Sequence, residues 1–327
     1  KPMFDPQHGT DIPFDVQTDF RFSSIYGLEV SPSDPEVIYA VNNGFGIFLS
    51  QDGGKSYNYQ VFSPDYAYSI AVDPQDPLVA YSGNQKKVFE KGSRIYKTSG
   101  DGKWQEIYFI ENSAGIRSVK IDPASSNVVY ASSVGEKGNI FKSIDHGENW
   151  EILNPYFTFA TIHVMAIDPY DESTVYAAPW GGGLFKSTDY GSSWIEIEAP
   201  TISVSAIVID PDDSRHILIG DRNKPGIYET FDGGRNWSPL VSLDESDYLR
   251  VVSMIMHKGE LYFSVFNRQG GLISLFLNEP MSGTLFKLDN GRASDMSGQI
   301  KRGVLSFYSD GKNLFAITHI SGVYMLD

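Results

Sequence analysis

The chain has 327 residues and carries 26 Lys and Arg against 41 Asp and Glu, a formal net charge of −15. That balance excludes a nucleic-acid footprint, which needs a basic face, and the absence of cysteine excludes disulfides, thiolate metal sites and a thiol nucleophile. Aromatic residues make up 13% of the chain, which fits a packed core rather than disorder, and no apolar run reaches the ~20 residues of a membrane helix. The first residue is Lys1, read as the product of processing or trimming.

Along the chain, a strand–turn–strand motif recurs. It reads YGLEVSPSDPEVIYA from Tyr26, YSIAVDPQDPLVAYS from Tyr68 and RSVKIDPASSNVVYAS from Arg117. It continues as HVMAIDPYDESTVYAA from His163 and SAIVIDPDDSRHILIG from Ser205, with weaker copies from Val252 and Val304. The turn residues Ser31, Asp73, Asp122, Asp168, Asp210, His257 and Ser309 are spaced by 42, 49, 46, 42, 47 and 52, a propeller-like period. Val, Ile and Tyr alternate with polar residues, which predicts strands and no helix.

A second motif follows the first: a Gly-led strand, then S/T-x-D-x-G-x-x-W or a near variant. Copies run Ser50–Tyr57, Ser143–Trp150, Ser187–Trp194 and Thr230–Trp237, with a shortened one at Ser99–Trp104. The sixth repeat is read as having lost it, at 278–283 (NEPMSG). Asp and Ser/Thr oxygens accept backbone N–H bonds in such a hairpin, Gly takes the left-handed position and the aromatic ring packs on the sheet. Asp52, Asp101, Asp145, Asp189 and Asp232 are therefore assigned structural roles.

These turns make the chain resemble Asp-box (BNR) repeat proteins along almost its whole length. Relatives with the combined pattern are the xyloglucanase-type glycoside hydrolases, sortilin-type receptor domains and the photosystem II assembly factor. The resemblance implies an all-β, seven-bladed β-propeller with four-stranded antiparallel blades. The blades are placed at about 21–65, 66–112, 113–160, 161–202, 203–246, 247–298 and 299–327 plus 1–20, one domain over 1–327. Counting back from Ser31 makes the segment from Phe14 to Asp19 the outer strand that closes blade seven.

Function is expected on the loops that do not repeat. The residues five before each turn residue are Tyr26, Tyr68, Arg117, His163, Ser205, Val252 and Val304, with Arg250 and Arg302 seven before. They are placed near the mouth of the central channel. With Trp180 and Arg222 from neighbouring loops they form a predicted anion- or sugar-binding set, and Trp180 and Tyr66 are candidates to stack on a sugar ring. Tyr68, Arg117 and His163 are the candidates for catalysis, in the manner of a polysaccharide lyase.

In the xyloglucanase-type family the resemblance implies a catalytic Asp in the first blade's loop, where this chain has Asn43. Asp65, Glu90, Glu136 and Asp221 remain as loop-face carboxylates, without a sequence signal that pairs them as a glycosidase requires. The six histidines show no metal-ligand spacing, so neither metal nor cofactor is expected. The photosystem assembly factor is understood to bind its partner through an arginine-rich patch; no basic run is present here. The reading is thus an extracellular or periplasmic, non-catalytic binding or scaffold propeller for a protein or polysaccharide partner. Its alternative is a carbohydrate-active enzyme, lyase before hydrolase, working at the channel mouth.

Overall fold

The structure, a computed structural model, describes residues 25–42, 46–60, 67–85, 91–99, 103–135, 139–153, 161–267, 283–289, 291–296, 304–309, 311–318 and 322–326. Among these residues every regular element is a strand. The first sheet holds β1 (Ile25–Val30), β2 (Val37–Asn42), β3 (Gly46–Gln51) and β4 (Asn58–Gln60), and the second β5 (Ala67–Val72), β6 (Val79–Asn84), β7 (Gly92–Ser99) and β8 (Trp104–Glu111). The third holds β9 (Gly115–Ile121), β10 (Val129–Val134), β11 (Ile140–Ser143) and β12 (Glu151–Leu153), and the fourth β13 (Ile162–Ile167), β14 (Val175–Pro179), β15 (Leu184–Ser187) and β16 (Ile195–Ile197). The fifth holds β17 (Val204–Asp210), β18 (Asp213–Asp221), β19 (Gly226–Thr230) and β20 (Ser238–Ser242), and the sixth β21 (Tyr248–His257), β22 (Glu260–Asn267), β23 (Gly283–Asp289) and β24 (Arg292–Asp295). A seventh sheet comprises β25 (Val304–Ser309), β26 (Leu314–Thr318) and β27 (Gly322–Leu326). All pairings are antiparallel meanders, as short hairpin connections dictate.

The first strand of each sheet touches the first strand of the next, β1 to β5 to β9 to β13 to β17 to β21 to β25, and β25 returns to β1. That order is a propeller, with the first strands around the axis. The closing strand expected at 14–19 lies outside the described residues. The ring is nevertheless joined between first and last sheets, where the Tyr308 hydroxyl donates to the Ser31 carbonyl at 3.4 Å.

The blades are held together by the tyrosines of their second strands. Tyr39 donates to Leu78 O at 3.1 Å, Tyr81 to His146 O at 2.8 Å and Tyr130 to Tyr190 O at 3.1 Å, each reaching the following blade. All three rings are fully buried, so each contributes apolar burial and satisfies its one polar atom. Turn residues add polar latches: Ser126 donates to Asp73 at 2.5 Å and Ser214 to Asp168 at 2.7 Å.

The aspartate turns follow the predicted chemistry. Asp189 accepts from Ser187 Oγ at 2.7 Å, Ser193 N at 2.8 Å and Ser193 Oγ at 2.6 Å, while Ser187 Oγ accepts from Gly191 N at 2.7 Å. Trp194 Nε1 then closes the turn on Gly191 O at 2.9 Å. The same pattern recurs at Asp52, Asp145 and Asp232; Asp101 lies outside the described residues. The Asn236-Trp-Ser triplet has the form of a glycosylation sequon, yet the Asn236 amide is engaged by Asp232 at 2.7 Å.

The sixth blade corrects the sequence reading. Its third strand β23 begins at Gly283, the last residue of the segment read as the lost motif, so the hairpin between β23 and β24 lies after that segment rather than in it. Leu285 and Phe286 are buried on β23, which anchors that register. β23 and β24 pair as far as Asp289 opposite Arg292.

Candidate functional site

A repeated backbone device positions the candidate residues. Every first strand is bulged, β21 twice: the ladder skips one residue between Ile25 and Gly27, Ala67 and Ser69, Ile116 and Ser118, and Ile162 and Val164. The same occurs between Val204 and Ala206, Val251 and Ser253, and Val304 and Ser306. A bulge releases a residue from the ladder and re-aims its side chain. The released residues are Tyr26, Tyr68, Arg117, His163, Ser205, Val252 and Leu305. Six are the residues five before the turn. In the last blade the expectation fails by one residue: Val304 is buried in the core between sheets six and seven, and Leu305 takes the bulge.

The released side chains of blades two, three and four meet. Arg117 Nη1 donates to the Tyr68 hydroxyl, and its guanidinium carbon lies 4.7 Å from the centre of the Tyr68 ring. Tyr68, Ile116, Arg117, Val134, His163 and Trp180 help to line one cavity of about 210 Å³. Gln85 and Thr161 complete its polar wall.

Two loops finish the cluster. Trp180 opens the turn after β14, its N–H bonded to Thr161 O at 2.9 Å. Gly181 and Gly183 there have φ of 67° and 84°, values that favour glycine. The indole is 54% exposed and its ring meets His163 edge-on at 5.4 Å. Arg222 follows Asp221, a buried carboxylate that accepts from Asn223 N at 2.7 Å and Lys224 N at 3.2 Å. Asp221 is thus a turn-former rather than a free acid, and the turn it builds presents Arg222. The Arg222 guanidinium carbon lies 3.5 Å from the centre of the Trp180 ring, and its Nη1 donates to His163 Nε2 at 2.7 Å. From blade six, Arg250 sits 4.7 Å from the Phe266 ring centre.

Because a guanidinium can only donate, His163 Nε2 must accept and its proton must reside on Nδ1. Burial and the charges of Arg117, Arg222 and Arg250 push the His163 pKa down to about 3, so the ring is neutral at pH 7. Burial, then Arg250 and Arg117, bring Arg222 down to about 10, and burial lowers Arg250. Among the described residues no ion pair joins Arg222 or Arg250 to a carboxylate. The buried His163 Nδ1 has no hydrogen-bond partner among the described residues.

The remaining predicted residues divide in two. The side chain of Tyr26 and the whole of Asn43, Asp65, Tyr66, Glu90, Glu136 and Arg302 lie outside the described residues. Ser205 is buried, its hydroxyl bonded to Gly220 O at 3.1 Å. Among the described residues no group of three or more His, Cys, Asp or Glu gathers to hold a metal. Sequence reasoning missed Glu29 on β1 and Lys120 on β9, each two before its turn residue. Burial raises the Glu29 carboxyl and the Lys120 charge lowers it, an interaction spanning non-adjacent blades. The available signal was a charged residue inside an apolar first strand.

Comparison with known proteins bears out the propeller resemblance. The family model described as sortilin, neurotensin receptor 3, matches residues 138–269. The xyloglucanase Xgh74A of Acetivibrio thermocellus is 28% identical over 166 residues, 38% of this chain and 20% of that protein. A probable oligoxyloglucan-reducing end-specific xyloglucanase of Neosartorya fischeri is 24% identical over 147 residues, 40% of this chain and 18% of that protein. These matches therefore span about a fifth of the length of the curated relatives. Among solved structures, an ancestral GH74 enzyme superposes with a TM-score of 0.71 at 13% identity, over 97% of this chain and 46% of that one. YCF48 bound to D1 peptide superposes with a TM-score of 0.68 at 14% identity, over 98% and 96%. The chain is an all-β propeller, similar over about two fifths of its length to xyloglucanases, and among its described residues no helix is long and apolar enough to cross a membrane.

Proposed function

We propose that the protein is a non-catalytic glycan-recognition propeller, acting outside the cytoplasm, whose site is the channel-mouth cavity between Tyr68 and Trp180. The observation that carries this reading is the wall itself: two aromatic rings, a neutral imidazole and an arginine around about 210 Å³, roughly the room a single sugar ring needs. Aromatic faces stack on the apolar faces of pyranoses, and a half-exposed Trp180 beside the cavity suits that contact. Sequence kinship with xyloglucanases supports a glycan over a protein ligand.

The same geometry weighs against the lyase alternative. A base needs a free lone pair. The His163 Nε2 lone pair is occupied by Arg222 and Nδ1 carries the ring proton, and a pKa near 3 leaves the imidazole little basicity. A glycosidase needs two carboxylates, and among the described residues that line the cavity there is neither Asp nor Glu. The test is a panel of neutral and acidic oligosaccharides, scored for binding by calorimetry and for cleavage by reducing ends and unsaturated-uronate absorbance. Binding without cleavage, lost in Trp180→Ala, is the expected result. Cleavage abolished by Arg117→Ala would overturn the non-catalytic reading.

A further inference from the structure

We propose that Arg222 is a positioning residue: it reaches from blade five to clamp the Trp180 indole of blade four, so that the face turned away from Arg222 stands ready to stack on a sugar ring. This rests on the glycan reading above and assigns the residue that shapes its stacking surface. Three observations carry it.

First, Trp180 finds little support within its own turn. It is 54% exposed, and the turn continues as three glycines, Gly181 to Gly183, which supply no side chain for the indole to rest on. A ring so exposed keeps rotamer freedom that a ligand would have to remove on binding. Among the described residues the indole has one ring neighbour, His163 at 5.4 Å, and one cation on its face, the Arg222 guanidinium at 3.5 Å from the ring centre. That is a stacking distance, and the planar guanidinium covers the face it meets.

Second, Arg222 stands behind the cavity wall rather than in it. The described residues that line the cavity include Trp180 and His163 but not Arg222. Arg222 Nη1 donates to His163 Nε2 at 2.7 Å, which keeps the imidazole on the guanidinium's side of the indole or at its rim. Neither neighbour covers the opposite face. One guanidinium therefore braces two residues of the wall, one through its plane and one through an N–H.

Third, the clamp is itself anchored. Arg222 N donates to Ser203 O at 2.7 Å, and Asn223 Nδ2 to Ser203 Oγ at 2.8 Å. The buried Asp221 carboxylate accepts from the N–H groups of Asn223 and Lys224. The backbone is thus fixed on both sides of Arg222, as a residue that holds another in a working geometry requires. Lysine could supply the charge here but not the plane.

Fluorine NMR of the full chain labelled with 5-fluorotryptophan tests the clamp without any ligand. The chain has five tryptophans, and the Trp180 line is the one missing from Trp180→Phe. Arg222→Gln and Arg222→Lys should each narrow that line about twofold or more, as an exposed ring freed from its clamp gains ps–ns motion. The other four lines should hold their wild-type positions and so report an intact fold; if Arg222→Gln fails that check, Arg222→Lys carries the test. Arg215→Gln should leave the Trp180 line unchanged, because Arg215 pairs with Asp213 at the start of β18. An unchanged Trp180 line in the folded Arg222 variants overturns the inference. Calorimetry with cellotetraose then reads what the clamp does for binding, and Arg222→Lys should weaken it about fivefold to tenfold. A freed ring with undiminished affinity overturns the inference as well, since the ligand would then gain nothing from the fixed indole. If wild-type protein binds neither cellotetraose nor any other oligosaccharide of the panel, the glycan reading falls, and the fluorine line alone decides the clamp.

Discussion

The two ends of the propeller use one repeated backbone in opposite ways. At the aspartate turns the repeat extends to the side chains: Asp52, Asp145, Asp189 and Asp232 accept the same bonds in four blades. Those bonds pull the Asp145 and Asp189 carboxyls down to about 2. At the mouth only the bulge repeats, and its occupant changes around the ring, from Tyr in the first two blades to Arg, His, Ser, Val and Leu in the others. There the ionisable groups are shifted by burial and like charge, away from their charged forms. A satisfied carboxylate is one the scaffold uses. A cation that burial destabilises, beside an imidazole whose Nδ1 has no partner among the described residues, is one the scaffold tolerates for another purpose.

The largest effect of a substitution at neutral pH is expected at the turns. Trp194 packs its ring on the blade-three to blade-four core and donates to Gly191 O at 2.9 Å. Trp194→Ala should cost about 3 kcal/mol by urea unfolding, at the low end for a partly buried tryptophan, and leave ligand affinity unchanged if the variant is assayed while folded. A cost below about 1 kcal/mol would mean that the turns decorate the ring rather than hold it.

That scaffold was open to reading because its physics is local and periodic. The apolar alternation, the Asp-Pro turns and the S-x-D-x-G-x-x-W hairpins each specify their own hydrogen bonds within about eight residues. Where the periodic signal faded, in the sixth blade, the sequence places the lost motif before the third strand, whereas the hairpin follows that strand. The mouth was harder. The bulged positions could be aligned, since they keep a fixed distance from the turns, and Tyr68, Arg117 and His163 do meet. What no alignment could supply was the pairing of His163 with Arg222, 59 residues apart. That contact depends on how blade four is rotated against blade five. It also decides the tautomer of His163 and its fitness as a base.

Acid titration separates the two ends in a single experiment. In the unfolded chain His163 titrates near 6.5 and in the folded chain at about 3. Its folded pKa is depressed, so the unfolded state binds the proton first as pH falls. The stability His163 contributes is complete above about pH 6.5 and is lost as pH drops toward 3, with a slope of at most about 1.4 kcal/mol per pH unit. The aspartates are also depressed, but from ~3.9, so their contribution survives to about pH 4 and is lost only below it. Wild-type urea midpoints should therefore fall in two stages, and His163→Gln should remove the first while keeping the second. Parallel curves for the two proteins between pH 7 and 4 would contradict the buried neutral imidazole.

The smallest effect has the opposite sign. Arg250 is held below its normal basicity by burial, and its charge lowers both Arg222 and His163. Its guanidinium carbon lies 4.7 Å from the Phe266 ring centre, and no carboxylate among the described residues forms an ion pair with it. Arg250→Gln keeps polar character, deletes the charge and relieves the repulsion on Arg222. It should raise stability by about 1 kcal/mol in urea, the size of gain common where a destabilised functional site is relaxed. The part of that gain coming from lost cation–π contact is negative, ~0.5–1 kcal/mol at an exposed ring, which is why the net figure is small. In the same variant the His163 pKa should move upward, read by proton NMR, because one of the three charges opposing its protonation is gone. A stable gain with an unmoved His163 would separate Arg250 from the cluster and leave Arg222 and Arg117 as its cations. A loss of stability would mean that Arg250 serves the fold, in which case the contrast between the two ends of the propeller fails at blade six.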